Sequence, residues 1–266
     1  MPGRSNSLPL ILHAAALALA VAVPAQAQPA PAAADEARAR EILMRMAAFL
    51  AGAPRFEVKL RSRRDAVQNT GEKIEFAESR RVVLGRPDRL RVENERSDGT
   101  RTLTVFTGKE IVVLDATRNV YASTPQPGDI DASVDHLVRD LGLRLPLATL
   151  LLARLPGELD RGLRTVRFVE KTGIFGVPAH HLAARTEGED IQVWVADGER
   201  PLPLRVVVTY RKVPGQPQLR AQFEDWTLAP AVDDATFAPR LPEGAQRIAF
   251  AAQLPRAGPA AKRAKP

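Results

Sequence analysis

Residues 129–156 read DIDASVDHLVRDLGLRLPLATLLLARLP. This is the one long stretch inside the body of the chain with no strand pattern. Six strand-like segments precede it and five follow. Val134, Leu137, Val138 and Leu141 fall at i, i+3, i+4 and i+7, one stripe of a helix. Gly142 stands where a left-handed residue would stop that helix. Pro146 is placed to open a second one, where its missing N–H costs nothing. The second piece, Leu147 to Leu155, is apolar on nearly every side and must be covered by something. It is either a plain core helix or a lid over a cavity built by the flanking strands.

The segments around it alternate. Phe56, Val58 and Leu60 interleave with Glu57, Lys59 and Arg61, the period of two that marks a sheet wet on one face. Asn69-Thr70-Gly71 turns the chain, and Ile74, Phe76, Val82 and Leu84 return it, with Glu78 and Arg80 breaking the apolar face midway. Turn signals then arrive every 7 to 15 residues, as in an antiparallel meander. After the leucine-rich stretch the pattern resumes over Leu163–Lys171, His180–Arg185, Ile191–Val195, Leu204–Arg211 and Leu219–Leu228. Gly173-Ile174-Phe175-Gly176 and Pro214-Gly215-Gln216-Pro217 read as hairpin connections. Open sheets beyond about ten strands curl, split or close because strands twist. The expected fold is therefore α+β: a curled antiparallel sheet of about eleven strands with helices across its concave face. Arg61, Arg81, Arg91, Arg167, Arg205 and Arg211 suit a wet convex surface.

Ahead of the strands, Asp35 reads as the N-cap of a helix with Ile42, Leu43, Met46, Phe49 and Leu50 on its apolar side. Gly52 and Pro54 end it. The start of the chain reads as a secretory signal: Arg4, an apolar run from Leu8 to Val23, and Ala25-Gln26-Ala27 for cleavage. No other stretch approaches the ~20 apolar residues of a membrane-spanning helix. The organisation expected is a signal over residues 1–27, a linker over 28–34, one domain over 35–250 and a disordered basic tail over 251–266. A soluble exported protein, cleaved after Ala27 and residing in the periplasm, follows from that reading.

The composition excludes several classes. With no cysteine among its 266 residues, the exported chain has no disulfide and no acylation site, so a large core must hold it. The formal charge of +7 misleads, because five basic residues lie in the signal and the tail; residues 28–255 carry 33 basic against 31 acidic side chains. A near-neutral body argues against nucleic-acid binding, which needs a basic stripe on the fold itself. The basic tail allows at most a transient, weak membrane contact. His180 and His181, adjacent on a strand, face opposite ways and cannot share a metal. No HExxH, calcium-loop, GxSxG or phosphate-cradling spacing is present. Asp129, Asp131, Asp233 and Asp234 read as cap or loop carboxylates. No catalytic residue, metal ligand or cofactor is expected.

What remains is apolar. Phe49, Leu137, Leu141, Leu147, Leu150, Leu151, Phe168, Trp194, Tyr210 and Phe223 are the candidates to line a hydrophobic cavity and its lid. Trp194 alternates with Val193 and Val195, so its strand carries apolar residues on both faces.

Several motifs resemble a family of predicted periplasmic proteins of unknown function. They are Arg86-Pro87-Asp88-Arg89-Leu90-Arg91-Val92, Thr107-Gly108-Lys109, Leu114-Asp115 with Asn119-Val120-Tyr121, and His180-His181-Leu182-Ala183. Trp194-Val195-Ala196-Asp197-Gly198 leading to Pro201-Leu202-Pro203, Pro214 to Gln218, Asp225-Trp226, and Phe237-Ala238-Pro239 with Pro242 to Ala245 complete the set. The resemblance spans roughly residues 35–250. That family is similar to the LolA/LolB-like superfamily, so the resemblance implies a half-barrel with helices across its mouth. It also implies a carrier for the acyl chain of a lipid or lipoprotein. The same superfamily includes envelope stress sensors, so a sensor or structural interaction protein with a self-filled cavity is the alternative. A monomer is expected.

Overall fold

The computed structural model describes residues 31–253, apart from Arg144 and Phe175. The expected signal and cleavage site, and residues 254–266 of the expected tail, lie outside the described residues. Helix α1 (Pro31–Gly52) opens the described chain. Six strands follow: β1 (Arg55–Val67), β2 (Lys73–Gly85), β3 (Arg89–Arg96), β4 (Arg101–Phe106), β5 (Glu110–Asp115) and β6 (Val120–Pro125). A connection holds helix α2 (Ile130–Asp135), a π-helical turn (His136–Asp140), a 3-10 turn (Ala148–Leu151) and helix α3 (Leu155–Gly162). Then come β7 (Thr165–Ile174), β8 (Val177–Arg185), β9 (Glu189–Ala196), β10 (Pro203–Tyr210), β11 (Gln218–Thr227) and the short β12 (Gln246–Arg247).

All twelve strands form one unclosed, curled sheet in the order β12-β6-β5-β4-β3-β2-β1-β11-β10-β9-β8-β7. Two antiparallel meanders are joined where β1 pairs with β11. The twelfth strand is beyond the eleven read from the pattern; it is two residues long and pairs in parallel with β6. The order explains the connection. Strands β6 and β7 stand at opposite ends of the sheet, so the chain between Pro125 and Thr165 has to cross the whole concave side. We call this crossing segment the hood.

Alternation decides which side chains face inward. Phe56, Val58 and Leu60 of β1, Val82 and Leu84 of β2, and Leu90 of β3 are buried on the concave side, in one cluster with Ile42, Leu43, Met46 and Leu50 of α1. Each such side chain contributes roughly 1.5–3 kcal/mol on burial. On the convex side the C-terminal segment returns over β2. Phe237, 4% exposed, lies against Gly85, and Arg91 donates to the Thr236 carbonyl at 3.3 Å. Val83, Val105 and Val112 are buried on this outer face.

Several local expectations change. Helix α1 begins at Pro31, so Asp35 lies inside it rather than capping it, and residues 31–34 are helical rather than linker. Residues 251–253, assigned to the tail, form a 3-10 turn. Asp129 does cap α2, accepting from the Ala132 N–H at 2.8 Å. Beyond it the π-helical turn alters the angular spacing. Val134, Leu137 and Leu141 stay buried while Val138 is left 42% exposed. Gly142 is left-handed as expected, at φ 66°. The second helix does not start at Pro146. Leu147 is itself left-handed (φ 66°, ψ 6°), Ala148–Leu151 make only a 3-10 turn, and α3 begins later, with Pro156 in its first turn.

Candidate ligand-binding trough

The hood is pinned at defined points. Arg86, at the turn leaving β2, donates to the carbonyls of Leu50 (3.4 Å) and Ala53 (3.2 Å) at the end of α1, and to Leu151 (2.9 Å) in the hood. Three backbone acceptors from two elements thus meet one planar guanidinium, which a single point charge could not match. Asp131 accepts from the N–H groups of Ala153 (2.7 Å) and Arg154 (3.1 Å). The Arg154 guanidinium reaches Asp135 at 2.7 Å and Glu158 at 2.9 Å. Asp88 of the Arg-Pro-Asp turn pairs with Arg89 at 2.9 Å, and Arg89 donates to the Thr107 carbonyl at 2.6 Å. A Cβ on Gly108, whose φ is 79°, would stand 2.3 Å from the Asp88 carboxylate. The Thr-Gly-Lys motif therefore needs glycine for close approach as well as for backbone hand.

Ahead of these anchors the Leu143–Leu151 segment divides the trough into two apolar cavities. The first, about 260 Å³, lies between the hood and β1 to β5; Val58, Val92, Leu137, Leu151, Phe223 and Trp226 are among its walls. The second, about 400 Å³, lies between the hood, α1, α3 and β8 to β11, against Leu43, Met46, Leu159, Ile191, Val206 and Tyr210. Leu145, Pro146, Leu147 and Leu150 line both. Either space exceeds the ~150 Å³ apolar cavity that suffices for benzene.

Of the candidate residues, Leu137, Leu147, Leu150, Leu151 and Phe223 line the first cavity, and Leu147, Leu150 and Tyr210 the second. Phe49 and Leu141 pack into the surrounding core. Phe168 is covered by the Arg38 guanidinium, 4.3 Å from its ring centre. Trp194 is on the other side of the sheet. It stacks on His181 at 4.0 Å between ring centres, with the Arg205 guanidinium 5.5 Å away. These are its register neighbours on β8 and β10. Its second apolar face is covered by side chains and not by another element.

Trp226 belongs to the first cavity although it is three residues from Phe223. A bulge in β11, with Asp225 left-handed at φ 53°, absorbs the odd residue and turns both rings inward. Phe56 and Phe223 flank Trp226 at 5.4 Å and 5.9 Å, and its indole N–H donates to the Pro203 carbonyl at 3.1 Å.

Polar groups gather at the ends of the two cavities. In the first they are Glu78, Arg80, Asn94, Arg96, Thr102 and Thr104. In the second, Glu189 and Tyr210 share the lining. Burial pushes the Glu189 carboxyl above its ordinary value. Burial, then Glu189, does the same to the Tyr210 phenol. Elsewhere, His180 contacts Asp197 at 2.9 Å, and Asp197 also takes a hydrogen bond from Lys171 at 3.1 Å. The Lys171 bond, helped by His180, holds Asp197 below the usual carboxylate range. His181 faces the opposite side, toward Gln192 at 3.1 Å. Among the described residues no group of three or more His, Asp or Glu side chains could hold a metal ion, and no helix is long and apolar enough to cross a membrane.

The model of a family of predicted periplasmic proteins, DUF2092, matches residues 39–251. The chain belongs to that family. No curated protein matches it. Among solved structures the DUF2092 chain is similar to the Mycobacterium tuberculosis lipoprotein LppX, with TM-score 0.48 and 12% identity over 74% of this chain and 100% of that one. It is also similar to a LolA superfamily protein from Nitrosomonas europaea, with TM-score 0.40 and 13% identity over 75% and 97% of the two chains. A third is MucB in the Pseudomonas aeruginosa MucA/MucB complex, with TM-score 0.41 and 18% identity over 76% of this chain and 61% of that one.

Proposed function

We propose that this periplasmic protein binds an acyl-bearing hydrophobic ligand, a lipid or the lipid of a lipoprotein, in the trough beneath the hood. The observation that carries the reading is the pair of apolar cavities left on either side of the Leu143–Leu151 segment. Packed interiors leave few voids larger than a water molecule. Two adjoining apolar spaces under one covering segment suit an extended chain of methylenes, each contributing about 0.8 kcal/mol on burial. The segment that separates them is held at its C-terminal end by Arg86 and just beyond it by Asp131, and ahead of that end it includes the left-handed Leu147. Such a backbone is uncommon for a bulky residue and costs of order 1–3 kcal/mol, so a rearranged hood is within reach of the energy an acyl chain supplies.

Native mass spectrometry of the gently purified protein tests the reading. An adduct lost on organic extraction, and uptake of a fluorescent fatty acid by the stripped protein, are the expected results. A clean polypeptide mass with no probe uptake would overturn it in favour of an interaction protein whose cavities serve no ligand.

A further inference from the structure

The first cavity changes character in steps, and the strand register sets their order. The innermost row on the concave face, Phe56–Leu84–Leu90–Phe106–Ile111, is wholly apolar. Two residues along each strand the row becomes Val58–Val82–Val92–Thr104–Val113. The next is Leu60–Arg80–Asn94–Thr102–Asp115, and the last sets Ser62 beside Glu78 and Arg96. Every one of these polar residues except Ser62 and Asp115, which pairs with Arg118 at 3.6 Å, lines the cavity.

Charge at this end does not cancel. The Arg80 and Glu78 side chains, 17% and 13% exposed, are paired, and Glu78 also takes a hydrogen bond from the Ser62 hydroxyl at 3.2 Å. Arg96, on the exposed side, makes no ion pair within 4 Å among the described residues. Among the described residues the lining therefore holds two guanidinium groups against one carboxylate. Burial pulls the Arg80 guanidinium below its ordinary value; Glu78 offsets this and Arg96 adds to it. Besides Glu78, Arg80 has two long contacts among the described residues, to the Asn94 side chain and the Pro146 carbonyl, both at 3.4 Å. A guanidinium offers five N–H groups, so two donors remain beyond these three contacts. A polar groove outside shares Glu78 and Arg96 with it, so this end opens toward water. The second cavity has the reverse character, since its Glu189 makes no ion pair among the described residues and is disfavoured in its charged form.

We propose that the first cavity seats a single acyl chain carrying an anionic head, a carboxylate or a phosphate, which Arg80 and Arg96 grip with Asn94, Thr102 and Thr104 around them. The chain runs inward from the row of Leu60 and its register partner Phe223, past Val58 and Val92, to Trp226 beside Phe56. A buried cation with unused donors favours an anion in charge-assisted hydrogen bonds, and a few polar groups at one end of an apolar pocket fix a ligand's direction. This assignment rests on the acyl-ligand reading above and names the head-group chemistry.

The test uses the full mature chain with Trp194→Phe, so that Trp226, in the cavity wall, reports binding by its fluorescence. Dodecanoate, dodecyl phosphate, dodecanol and inorganic phosphate are titrated in parallel near neutral pH. The two anionic lipids are expected to bind about tenfold more tightly than the alcohol, as a charge-assisted contact implies. Inorganic phosphate alone should neither bind nor compete, and the ratio between the two lipids tells carboxylate from phosphate. Arg80→Met should erase the preference and keep the alcohol's affinity; Glu78→Gln should enlarge the preference. Equal affinities of acid and alcohol in the wild type would overturn the head-group assignment and leave the acyl reading standing. Binding of none of the lipids would overturn both. If Arg80→Met does not fold, the exposed Arg96→Gln decides: a preference reduced about threefold supports the assignment and an unchanged one refutes it.

Discussion

Leu150 stands in the wall between the two cavities, and its replacement by alanine separates a partition from a core residue. Leu50 of α1, with no exposed surface, is the reference. Leu50→Ala removes three buried carbons at about 0.8 kcal/mol each and adds a cavity term, placing the loss at about 3–4 kcal/mol. Leu150 is only partly buried, so roughly half of the transfer cost applies. Its deletion opens no isolated void; it joins spaces of 260 Å³ and 400 Å³ that already exist. The expected loss is about 1 kcal/mol. For a domain of this size that is about 3 °C in Tm, against about 10 °C for Leu50→Ala. Thermal unfolding and denaturant midpoints of both variants measure the difference. Joining the cavities should also shift uptake toward longer-chain fluorescent fatty acids. A Leu150→Ala protein as damaged as Leu50→Ala, with its chain-length preference unmoved, would refute the partition and leave a plain core segment.

Three other outcomes follow from named contacts. Asp65, 7% exposed, has a carboxyl held low despite its burial by hydrogen bonds from Arg220 (2.9 Å) and the Gln218 N–H (2.9 Å). A depressed folded pKa gives stability that is present above the unfolded value of about 3.8 and lost as pH falls through the folded one. Asp65→Asn should therefore cost about 1.5–3 kcal/mol near neutral pH and flatten the fall in Tm on acidification, and an unaltered acid limb would count against it. Glu189 has the opposite sign: its raised folded pKa means stability is lost as pH rises through that value. Glu189→Gln should raise Tm near neutral pH and leave it unchanged below the ordinary carboxylate pKa of 4.5; equal gains at both would refute the electrostatic cause. Arg86→Ala frees three carbonyls of α1 and the hood and should cost about 2–4 kcal/mol, with limited proteolysis cutting first within the hood; Arg86→Lys should not restore it.

The sheet was legible because its alternation is strong: six segments before the hood and five after are the strands observed, and the curl follows from their number. What escaped the pattern has physical reasons. Gln246-Arg247 is too short to alternate, and only its neighbour Val120-Tyr121 makes it a strand. An alanine- and proline-rich start reads as linker, yet proline is tolerated in a first helical turn and alanine favours the helix that Pro31–Gly52 forms. The leucine-rich run Leu147–Leu152 has helical propensity, but the left-handed Leu147 and the 3-10 turn after it override that preference. Trp226 was hidden by a bulge, since two inward side chains three residues apart violate a period of two. Glu78 and Arg80 were visible as a break in the apolar face of β2. Their meaning needed the register, which alone sets them beside Asn94, Arg96 and Thr102.

The topology ties these features together. A sheet whose halves meet at β1 and β11 leaves β6 and β7 toward its opposite edges, so the chain between them has to span the sheet, and here its apolar side chains take it across the concave side. That crossing has to satisfy its own backbone over an apolar floor, and unpaired groups there would cost 1–3 kcal/mol each. The observed answer is short helical turns with side-chain anchors at their ends: Asp129 and Asp131 take N–H groups, and Arg86 takes carbonyls. Short turns stop before they can fill the trough as one continuous helix would. The two cavities are what they leave, and the left-handed Leu147 lies where the segment crosses between them.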